Sequence, residues 1–517
     1  MNGAEALMKS LVGLGVEVCF SNPGTSEMHF VAALDRVPEM RGVLALFEGV
    51  ATGAADGYAR IARKPAATLL HLGPGLGNGL ANLHNARRAH SPIVNVVGEH
   101  ATYHRRYDPP LASDIAATAS AVSKSVMTVE RPEELIPMVA ATFAAAVAPP
   151  AGVATLIVPG DITWNQVPDG SAAEPSSQPP VLDAERIAAA AAALRAGGAT
   201  LFIGGAATTR RGLEAASRIA NAASARLLCE TFPSVLERGA GIPAVDRLAY
   251  LGDFAVMQLA GSKSLVLAGA DDPVAFFAYP GKPSRYAPEG CDVVTLATPA
   301  DPADLYLEVL AEELGASSPP TLQALSLPGL PTGPLSGSAV AAAIGALLPE
   351  GCIVVDESVT TGISAPGLTQ GSPGHRWLTL TGGAIGYGLP VATGAAIAEP
   401  GTKVIDIQAD GSALYTIQAL WTQARESLDV VTVLLNNQSY AILQMELNNV
   451  GAEAGGPRSR AMLDLVPPAM DFAAIARGFG VDAVRVATGE ELVEQLKRAL
   501  AEPGPHLIEA LLPKGIS

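Results

Sequence analysis

Two polar segments in the last third of the chain carry residue types that bind a metal ion. Ala409-Asp410-Gly411-Ser412 follows the apolar run Lys403–Ile407, and Asn436-Asn437-Gln438-Ser439-Tyr440 follows the run Val430–Leu435. Carboxylate and amide oxygens suit Mg²⁺ or Ca²⁺, and Mg²⁺ held by few protein groups takes further ligands from water and substrate phosphates. Either segment alone is more often a tight turn. Together, at two strand ends, they predict a metal site that also holds a diphosphate.

Two residues of the first segment suit a phosphate group. Gly411 lets the backbone approach a ligand closely, and a helix that begins near Ser412 adds N–H donors and a favourable dipole. We therefore expect both residues to lie beside the diphosphate.

The order of motifs along nearly the whole chain resembles that of the thiamine-diphosphate-dependent decarboxylase and lyase family. The benzoylformate decarboxylases are the most similar branch, and the acetolactate synthases are the second. The motifs that carry the resemblance are Asn22–Glu27 (NPGTSE), Glu48, Gly57–Arg60 (GYAR), His71–Asn78 (HLGPGLGN), Gly382–Pro390 (GGAIGYGLP), and the Asp-Gly and Asn-Asn pairs that are separated by Ser412–Leu435, 24 residues.

The resemblance implies roles for residues of the C-terminal half. Asp410 and Asn437 would bind the metal through their side chains. Ala409 stands where the family has glycine, and because an alanine there need only avoid positive φ, we expect no loss of metal binding. Ser439 would bind the metal through its carbonyl, and the residues implied to lie by the diphosphate are Thr360, Ser412 and Tyr440. The Gly383 carbonyl would contact the amino group of the cofactor, and Ile385 would lie beneath the bent cofactor rings.

Glu48 is the candidate that would activate the cofactor. A carboxyl group held against the aminopyrimidine favours the imino form, which removes the proton from the thiazolium carbon, and the apolar neighbours of Glu48 would strengthen proton sharing. The alternative is a glutamate that only stabilises a helix dipole. Gly49, Gly53 and Gly57 follow at helical spacing and predict close approach by another helix or by the cofactor, which in the family occurs across a dimer interface.

Substrate chemistry needs proton donors, and Thr25, Ser26 and His71 are the candidates because each follows an apolar run. By resemblance, Thr25 and His71 align with a catalytic serine and a catalytic histidine. Ala278 stands where the branch has a further catalytic histidine, so protonation of the reaction intermediate is expected to differ. Phe276, Phe277 and Tyr279 around it could line an apolar pocket or belong to the core.

Two residues after the metal segment bear on substrate size. Ile442 and Glu446 lie where relatives shape the acceptor side of the pocket. Ile442 is bulkier than we expect for an enzyme of aromatic acids, so it favours a short aliphatic 2-oxo acid over benzoylformate.

The central part of the chain has a weak nucleotide signal. Gly204-Gly205 follows the strand-like run Thr200–Ile203, and some relatives, including acetolactate synthase, bind FAD in this domain. Gly-Gly after a strand is more often only a tight connection. FAD is therefore an open alternative that the sequence does not indicate.

Apolar runs alternate with helical stretches throughout the chain, which predicts an α/β fold of three doubly wound parallel-sheet domains. Segments rich in Pro, Ser and Gly, at Gln166–Asp183 and Ala316–Gly337, read as linkers. The predicted domains are an N-terminal pyrimidine-binding domain at 1–165, a central Rossmann-like domain at 183–315, and a C-terminal diphosphate- and metal-binding domain at 337–517.

Composition excludes several classes of protein. The 517 residues include 33 basic and 50 acidic ones, a net charge of −17 that would repel nucleic acid or an anionic membrane. No apolar stretch reaches the ~20 residues that cross a bilayer. The N-terminal segment has no basic leader, and four separated cysteines form no CxxC pair. We therefore expect a protein of the reducing cytoplasm.

The resemblance implies an enzyme that decarboxylates a 2-oxo acid with thiamine diphosphate and Mg²⁺, with carboligation as a further outcome. An acetolactate-synthase-like carboligase is the first alternative. A non-catalytic, nucleotide-binding regulatory paralogue is the second, but Glu48, Asp410 and Asn437 are all present. The expected assembly is a homodimer or homotetramer with active sites between subunits. The sequence leaves the acid, any acceptor and the number of subunits open.

Overall fold

The computed structural model describes residues 1–168, 180–452 and 456–515. Positions 169–179 of the predicted linker Gln166–Asp183, and the last two residues of the predicted C-terminal domain, lie outside the described residues. Among the helices of the described part, none is both long and apolar enough to cross a membrane.

Residues 1–168 form a six-stranded parallel sheet in the order β2-β1-β3-β4-β6-β5. Strands β3, β4 and β6 are buried along their whole length, as expected for a sheet covered on both faces. The strands are β1 Val18–Asn22, β2 Arg41–Leu44, β3 Ala66–Leu70, β4 Ile93–Glu99, β5 Ser125–Thr128 and β6 Val153–Pro159; the helices are α1 Gly3–Gly13, α2 Met28–Leu34, α3 Glu48–Ala62, α4 Leu72–Arg88, α5 Ile115–Ser120, α6 Leu135–Val147 and α7 Gly160–Trp164.

The described central residues form a five-stranded parallel sheet in the order β10-β8-β7-β11-β12. Its strands are β7 Ala199–Ile203, β8 Arg226–Cys229, β10 Asp246–Arg247, β11 Ser264–Ala268 and β12 Asp292–Ala297, and its helices are α8 Ala184–Arg195, α9 Arg210–Ala223, α10 Gly252–Leu259 and α11 Ala303–Glu313. The short strand β9, Leu236–Arg238, leaves this sheet and pairs with a strand of the C-terminal one.

The described C-terminal residues, with β9, form a seven-stranded sheet in the order β17-β18-β16-β15-β13-β14-β9, antiparallel at the β14–β9 pair. Its other strands are β13 Ile353–Glu357, β14 His375–Thr379, β15 Val404–Ala409, β16 Val430–Asn436, β17 Asp482–Val486 and β18 His506–Leu511; the helices are α12 Gly337–Leu347, α13 Ala365–Leu368, α14 Gly388–Ala398, α15 Asp410–Thr416, α16 Ala419–Arg425, α17 Ala441–Asn449, α18 Pro457–Ala461, α19 Phe472–Gly478 and α20 Gly489–Ala501.

The predicted fold class, three α/β units built on parallel sheets, is confirmed. The residue ranges given for the domains stay predictions. Strand β9 shows that the central segment also contributes to the C-terminal sheet, a pairing that the alternation of runs does not reveal.

The glycine stripe of α3 packs against α14 of the same chain. A Cβ added at Gly53 would lie 2.6 Å from the Cβ of Pro390, and one added at Gly57 would clash with the carbonyl of Val391. Close contact between these helices therefore requires glycine at both positions. The two glycines have a partner within one chain, so they do not by themselves indicate a dimer interface.

A buried ion pair fixes α3 to the C-terminal sheet. Arg60 donates to both carboxylate oxygens of Asp56 at 2.8 and 2.5 Å, and to the carbonyl of Thr379 at 2.9 Å and the hydroxyl of Thr381 at 3.0 Å. Both charged side chains are almost fully buried. Removing one partner of such a pair typically costs about 3–5 kcal/mol, so we expect this contact to hold the N- and C-terminal units in register.

Candidate active site

Thr25, Ser26 and His71 lie at the carboxyl edge of the N-terminal sheet, after β1 and β3. These strands are neighbours, so their ends meet, as the sequence predicts. Thr25 and Ser26 belong to a short 3₁₀ turn that ends at Glu27. Nδ1 of His71 lies 2.7 Å from Oε2 of Glu27, and this oxygen also accepts from the Gly24 amide at 2.9 Å.

Glu27 is a functional candidate that sequence reasoning missed. Its side chain is fully buried, burial raises its pKa, and His71 opposes that rise. The other oxygen, Oε1, has no hydrogen-bond partner among the described residues and lies against Gly98. The sequence feature that could have identified Glu27 is its place in the same segment after β1 as Thr25 and Ser26. Glu27 therefore holds the imidazole of His71 in place through Nδ1.

Glu48 begins α3 and is 7% exposed. Its Oε2 accepts a hydrogen bond of 3.0 Å from the side chain of Asn78. A Cβ added at Gly75 would lie 3.3 Å from the Cβ of His71 and 3.4 Å from Oε1 of Glu48. Gly75, in the first turn of α4, therefore lies between the two candidate proton carriers, His71 and Glu48.

Asp410 and Asn437 meet at the carboxyl edge of the C-terminal sheet, after the paired strands β15 and β16. Oδ1 of Asp410 accepts from the Gly411 amide at 2.7 Å, and Oδ2 accepts from the Gln438 amide at 2.7 Å. Asp410 is 2% exposed, and burial raises its pKa to about 6. A buried carboxyl beside an amide oxygen at two strand ends fits a hard divalent cation.

The loop that carries Asn437 and Ser439 is held in a defined shape. Asn437 Oδ1 accepts from the Ser439 amide at 3.1 Å, and its Nδ2 donates to the hydroxyl of Thr361 at 2.9 Å. Gln438 has φ of 57°, a left-handed conformation that is uncommon outside glycine. The threonine that contacts the Asn437 side chain is Thr361, the neighbour of the predicted Thr360. The role of Thr360 stays a prediction.

Gly411, Ser412 and Tyr440 lie together on one side of this loop. A Cβ added at Gly411 would lie 2.5 Å from Cε1 of Tyr440, so glycine is required for the ring to pack there. Ser412 is buried, and its hydroxyl accepts from Gln408 at 2.7 Å. The oxygens of Asp410 and Asn437 suit Mg²⁺, whereas the space beside Gly411 is taken by the ring of Tyr440, so the contact of Gly411 with a diphosphate stays a prediction.

Residues 382–388, which we call the cofactor turn, include Gly383 and Ile385 and lead into α14, which begins at Gly388. Gly383 has φ of 73°, which only glycine adopts readily. The carboxylate of Glu357, at the end of β13, accepts from the amides of Gly386 at 2.8 Å and Gly388 at 2.7 Å. Glu357 was also missed by sequence reasoning, and it fixes the turn that is predicted to carry the pyrimidine contacts.

Helix α4 forms hydrogen bonds both to the residue after Glu48 and to the cofactor turn of the same chain. Asn82 donates to the carbonyl of Gly49 at 2.8 Å and to that of Gly386 at 3.0 Å, and Asn85 donates to the carbonyl of Ala384 at 2.8 Å. The residue after Glu48 and the cofactor turn thus share one asparagine. Within the described residues, no hydrogen bond joins Glu48 to Asp410 or Asn437.

The central Gly204-Gly205 turn is covered by an acidic side chain. A Cβ added at Gly204 would lie 2.5 Å from Cδ of Glu230, which follows β8. Burial raises the pKa of Glu230 to about 8, with Asp271 adding to the rise. A dinucleotide phosphate bound at this turn would have to take the space of this carboxyl group and approach a second acid.

Two family models match the chain on either side of its central part. The "Thiamine pyrophosphate enzyme, N-terminal TPP binding domain" matches residues 1–119, and the "Thiamine pyrophosphate enzyme, C-terminal TPP binding domain" matches residues 362–510. The first range contains Glu48 and His71, and the second contains Asp410 and Asn437.

Similar proteins cover the whole chain. IlvX of Mycobacterium tuberculosis, whose name describes an acetolactate synthase large subunit, is 56% identical over 523 residues, 99% of each chain. Benzoylformate decarboxylase of Pseudomonas aeruginosa is 32% identical over 535 residues, 96% of each chain. The structure of the thiamine diphosphate-dependent 4-hydroxybenzoylformate decarboxylase from Rhodococcus jostii RHA1 covers 100% of both chains with a TM-score of 0.88 at 26% identity. Together with the two family models, these matches confirm the resemblance: the chain belongs to the thiamine pyrophosphate enzymes.

Proposed function

We propose that this chain is a thiamine-diphosphate- and Mg²⁺-dependent enzyme of the cytoplasm that removes CO₂ from a 2-oxo acid without oxidation. The observation that carries the proposal is the pair of buried acids, Glu48 and Asp410, each at the strand edge where its role requires it. The described cysteines are free thiols, which suits a reducing compartment.

The cofactor would supply a nucleophilic thiazolium carbon and an electron sink for the pair left when CO₂ departs. In this proposal Asp410, Asn437 and the carbonyl of Ser439 hold Mg²⁺. Gly411, Ser412, Thr360 and Tyr440 lie by the diphosphate, while Gly383 and Ile385 position the rings.

In this proposal the N-terminal residues hold and transfer protons. Glu48 holds a proton at the ring nitrogen of the aminopyrimidine, and His71 moves a proton at the substrate through Nε2, because Glu27 occupies Nδ1. Thr25 and Ser26 donate hydrogen bonds to the substrate. Glu27 is a positioning residue in this scheme.

Carbon–carbon ligation is the second candidate reaction. It is favoured by the likeness to IlvX and by the exposed Ala278, which stands where the benzoylformate decarboxylase branch has a proton-donating histidine. Without a proton donor at position 278, protonation of the reacting carbon would be slower, which would leave time for a second carbonyl compound to react. We expect ligation beside simple decarboxylation, and Ala278→His should shift the products toward free aldehyde.

We further propose a homodimer or homotetramer in which Glu48 of one subunit serves the metal site of another. Mixing inactive Glu48→Gln and Asp410→Ala subunits should then restore part of the activity, with subunit exchange followed by light scattering of differently tagged chains. Exchange without any recovery would assign both groups to one chain.

The central domain is proposed to bind no FAD, because Glu230 covers the glycine turn. The purified protein should show no flavin absorbance, and FAD titration should leave flavin fluorescence unchanged. A stoichiometric flavin would overturn this part.

The test of the function is a panel of 2-oxo acids of varied size, assayed with thiamine diphosphate and Mg²⁺ for CO₂ release, with the organic product identified by mass spectrometry. We expect cofactor-dependent CO₂ release from at least one acid. Stoichiometric cofactor binding without CO₂ release or ligation would favour the regulatory paralogue.

A further inference from the structure

Three side chains of types that bind metal ions meet at the amino edge of the C-terminal sheet, opposite to the edge that carries Asp410. Asp482 begins β17 and His506 begins β18, and the two residues are register partners in these neighbouring parallel strands. Glu502 directly follows α20. One ligand atom from each of the three residues can be chosen so that all three atoms lie within 4.8 Å of one another. We call this group the amino-edge cluster.

His506 is the member of the cluster that points to a ligand. The residue is 5% exposed, and neither ring nitrogen has a hydrogen-bond partner among the described residues. Its Nδ1 lies 3.6 Å from Oδ2 of Asp482, and its Nε2 lies 4.0 Å from Oε2 of Glu502, and both distances are too long for hydrogen bonds. A buried polar group without a partner costs free energy, so an ion that takes one ring nitrogen would stabilise the folded chain.

A second buried histidine of the same sheet shows the usual arrangement. His375 begins β14, and its Nδ1 lies 2.8 Å from the carbonyl oxygen of Pro373. His506 begins its strand in the same way but faces two carboxylates instead of a carbonyl group. Burial at a strand start therefore does not by itself explain the surroundings of His506.

The spacing of the cluster suits a cation between the side chains better than hydrogen bonds between them. Ligand atoms about 2.1 Å from a tetrahedral ion lie about 3.4 Å from one another. The 3.6 Å between Nδ1 of His506 and Oδ2 of Asp482 is close to that value. The side chain of Glu502 is 48% exposed, while its carbonyl accepts from Nζ of Lys403 at 2.8 Å, so the carboxylate can approach the ion without any shift of the backbone.

Arg498 is the cation that the two acids of the cluster hold in the structure. Its Nη1 donates to Oδ2 of Asp482 at 2.7 Å and to Oε2 of Glu502 at 3.2 Å, the same two oxygens that face His506. A guanidinium offers only N–H donors, and it leaves both ring nitrogens of His506 without a partner in the described chain. Its side chain is 36% exposed and can turn into solvent. The two acids therefore attract a cation, and the imidazole favours one that binds nitrogen.

We propose that the amino-edge cluster is a binding site for a divalent transition-metal ion, with Zn²⁺ as the best fit, held by His506, Asp482 and Glu502 and by water. One imidazole and two carboxylates are ligands that Zn²⁺ accepts, whereas Mg²⁺ and Ca²⁺ prefer oxygen ligands alone. The ion joins β17, β18 and the end of α20, and it releases Arg498 from the two carboxylates. The site goes beyond the function proposed above and needs no thiamine diphosphate.

The test measures Zn²⁺ binding to the full-length protein after removal of any purification tag, with thiamine diphosphate and Mg²⁺ in excess. Equilibrium dialysis followed by elemental analysis gives the zinc content per chain. Visible absorption after replacement of Zn²⁺ by Co²⁺ reports a tetrahedral site. The variants are His506→Gln, Asp482→Ala, Arg498→Gln and, as a matched control on the exposed face of α20, Glu494→Gln. Thermal unfolding midpoints without zinc show that each variant is folded.

We expect one zinc ion per wild-type chain and the same content in Glu494→Gln. Loss of groups that only support a metal ligand typically costs about 10–100-fold in affinity, so His506→Gln and Asp482→Ala, which remove ligands, should bind Zn²⁺ at least about tenfold more weakly. Because Asp482 is exposed, its variant carries the test even where His506→Gln lowers stability. Wild-type protein without stoichiometric zinc, or zinc that is retained by both variants, would overturn the proposal.

Arg498→Gln distinguishes a metal site from a cluster of ion pairs. The guanidinium competes with the ion for two charged acceptors, so its removal should tighten Zn²⁺ binding by about tenfold. Ion pairs that serve only the fold would give a lower unfolding midpoint with no gain in zinc affinity. That result would contradict the competition on which the proposal depends.

Asp410→Ala separates this site from the proposed cofactor site. It should lose thiamine diphosphate and keep the zinc ion, whereas Asp482→Ala should lose the zinc ion and keep thiamine diphosphate. Loss of zinc from Asp410→Ala, with zinc kept by Asp482→Ala, would assign the ion to the cofactor edge and overturn the proposal. Failure of thiamine diphosphate to bind to wild type would count against the proposed function alone.

Discussion

The two edges of the candidate site hold their acidic groups in different ways. At the N-terminal edge, Glu27 contacts His71 and Glu48 contacts Asn78, so the principal partners are side chains. At the C-terminal edge, Asp410 accepts from two backbone amides, and Glu357 accepts from three.

This difference indicates that the two sheet edges have different chemical roles. Backbone amides are fixed by the fold, so the C-terminal edge offers a rigid frame that suits the proposed metal and diphosphate, a role that needs no proton transfer. An imidazole and a buried carboxyl that share a proton can exchange it with a ligand, so the N-terminal edge suits acid–base chemistry. Substitutions at the C-terminal edge should therefore change cofactor binding, while those at the N-terminal edge should change rates.

The largest effect is expected for Asp410→Ala. It removes a ligand of the proposed metal, so thiamine diphosphate should no longer bind in a calorimetric titration with Mg²⁺. Asp482→Ala, an exposed acid at the opposite edge of the same sheet, is the control and should bind normally. Unchanged binding by Asp410→Ala would remove the metal site from this edge.

Glu48→Gln should keep the affinity for the cofactor and lower kcat by at least ~10²-fold, the range of general acid–base groups. The amide keeps the shape of the side chain but loses its acid function. Steady-state assays of CO₂ release measure the effect, with the exposed Glu39→Gln as a control of equal chemistry. Normal turnover would reduce Glu48 to a helix-dipole role.

Glu27→Gln should lower kcat by about tenfold and change the acid limb of the pH–rate profile, since the imidazole loses its proton partner. The affinity for thiamine diphosphate should not change. Glu27→Asp should recover part of the rate. A loss of thermal stability with an unaltered pH profile would mean that Glu27 acts only in packing.

The smallest effect concerns Glu230, away from the proposed chemistry. Burial and Asp271 raise its pKa from 4.5 to about 8, opposed in part by Arg88. Between these values the folded chain keeps a proton that the unfolded chain releases, so stability falls as pH rises through this window, by at most about 1.4 kcal/mol per pH unit. Denaturant titrations from pH 5 to 8 should show a flatter dependence for Glu230→Gln, and equal slopes would contradict the burial argument.

Sequence reasoning predicted the fold class because apolar runs and helical stretches alternate along the chain. It singled out Asp410 and Asn437 because polar residues at the ends of apolar runs fall on one sheet edge, and β15 and β16 are indeed neighbours. Both are local signals. The family likeness then extended them to residues such as Glu48 and Ile385.

Contacts between distant segments could not be predicted in this way. Glu27, Glu357 and Thr361 act through loops that only the folded chain brings together, and 167 positions separate Tyr279 from Glu446. The glycines of α3 indicated close packing, but spacing alone does not tell whether the partner helix belongs to the same chain.

The most direct test of the different roles of the two sheet edges is deuterium exchange at the thiazolium carbon of bound thiamine diphosphate, followed by quenched-flow NMR. Wild type, Glu48→Gln and the Glu39→Gln control would be compared at saturating cofactor and Mg²⁺. Exchange should slow by at least ~10²-fold in Glu48→Gln, at unchanged cofactor affinity, and stay fast in the control. Exchange in Glu48→Gln as fast as in wild type would contradict the assignment of proton chemistry to the N-terminal edge.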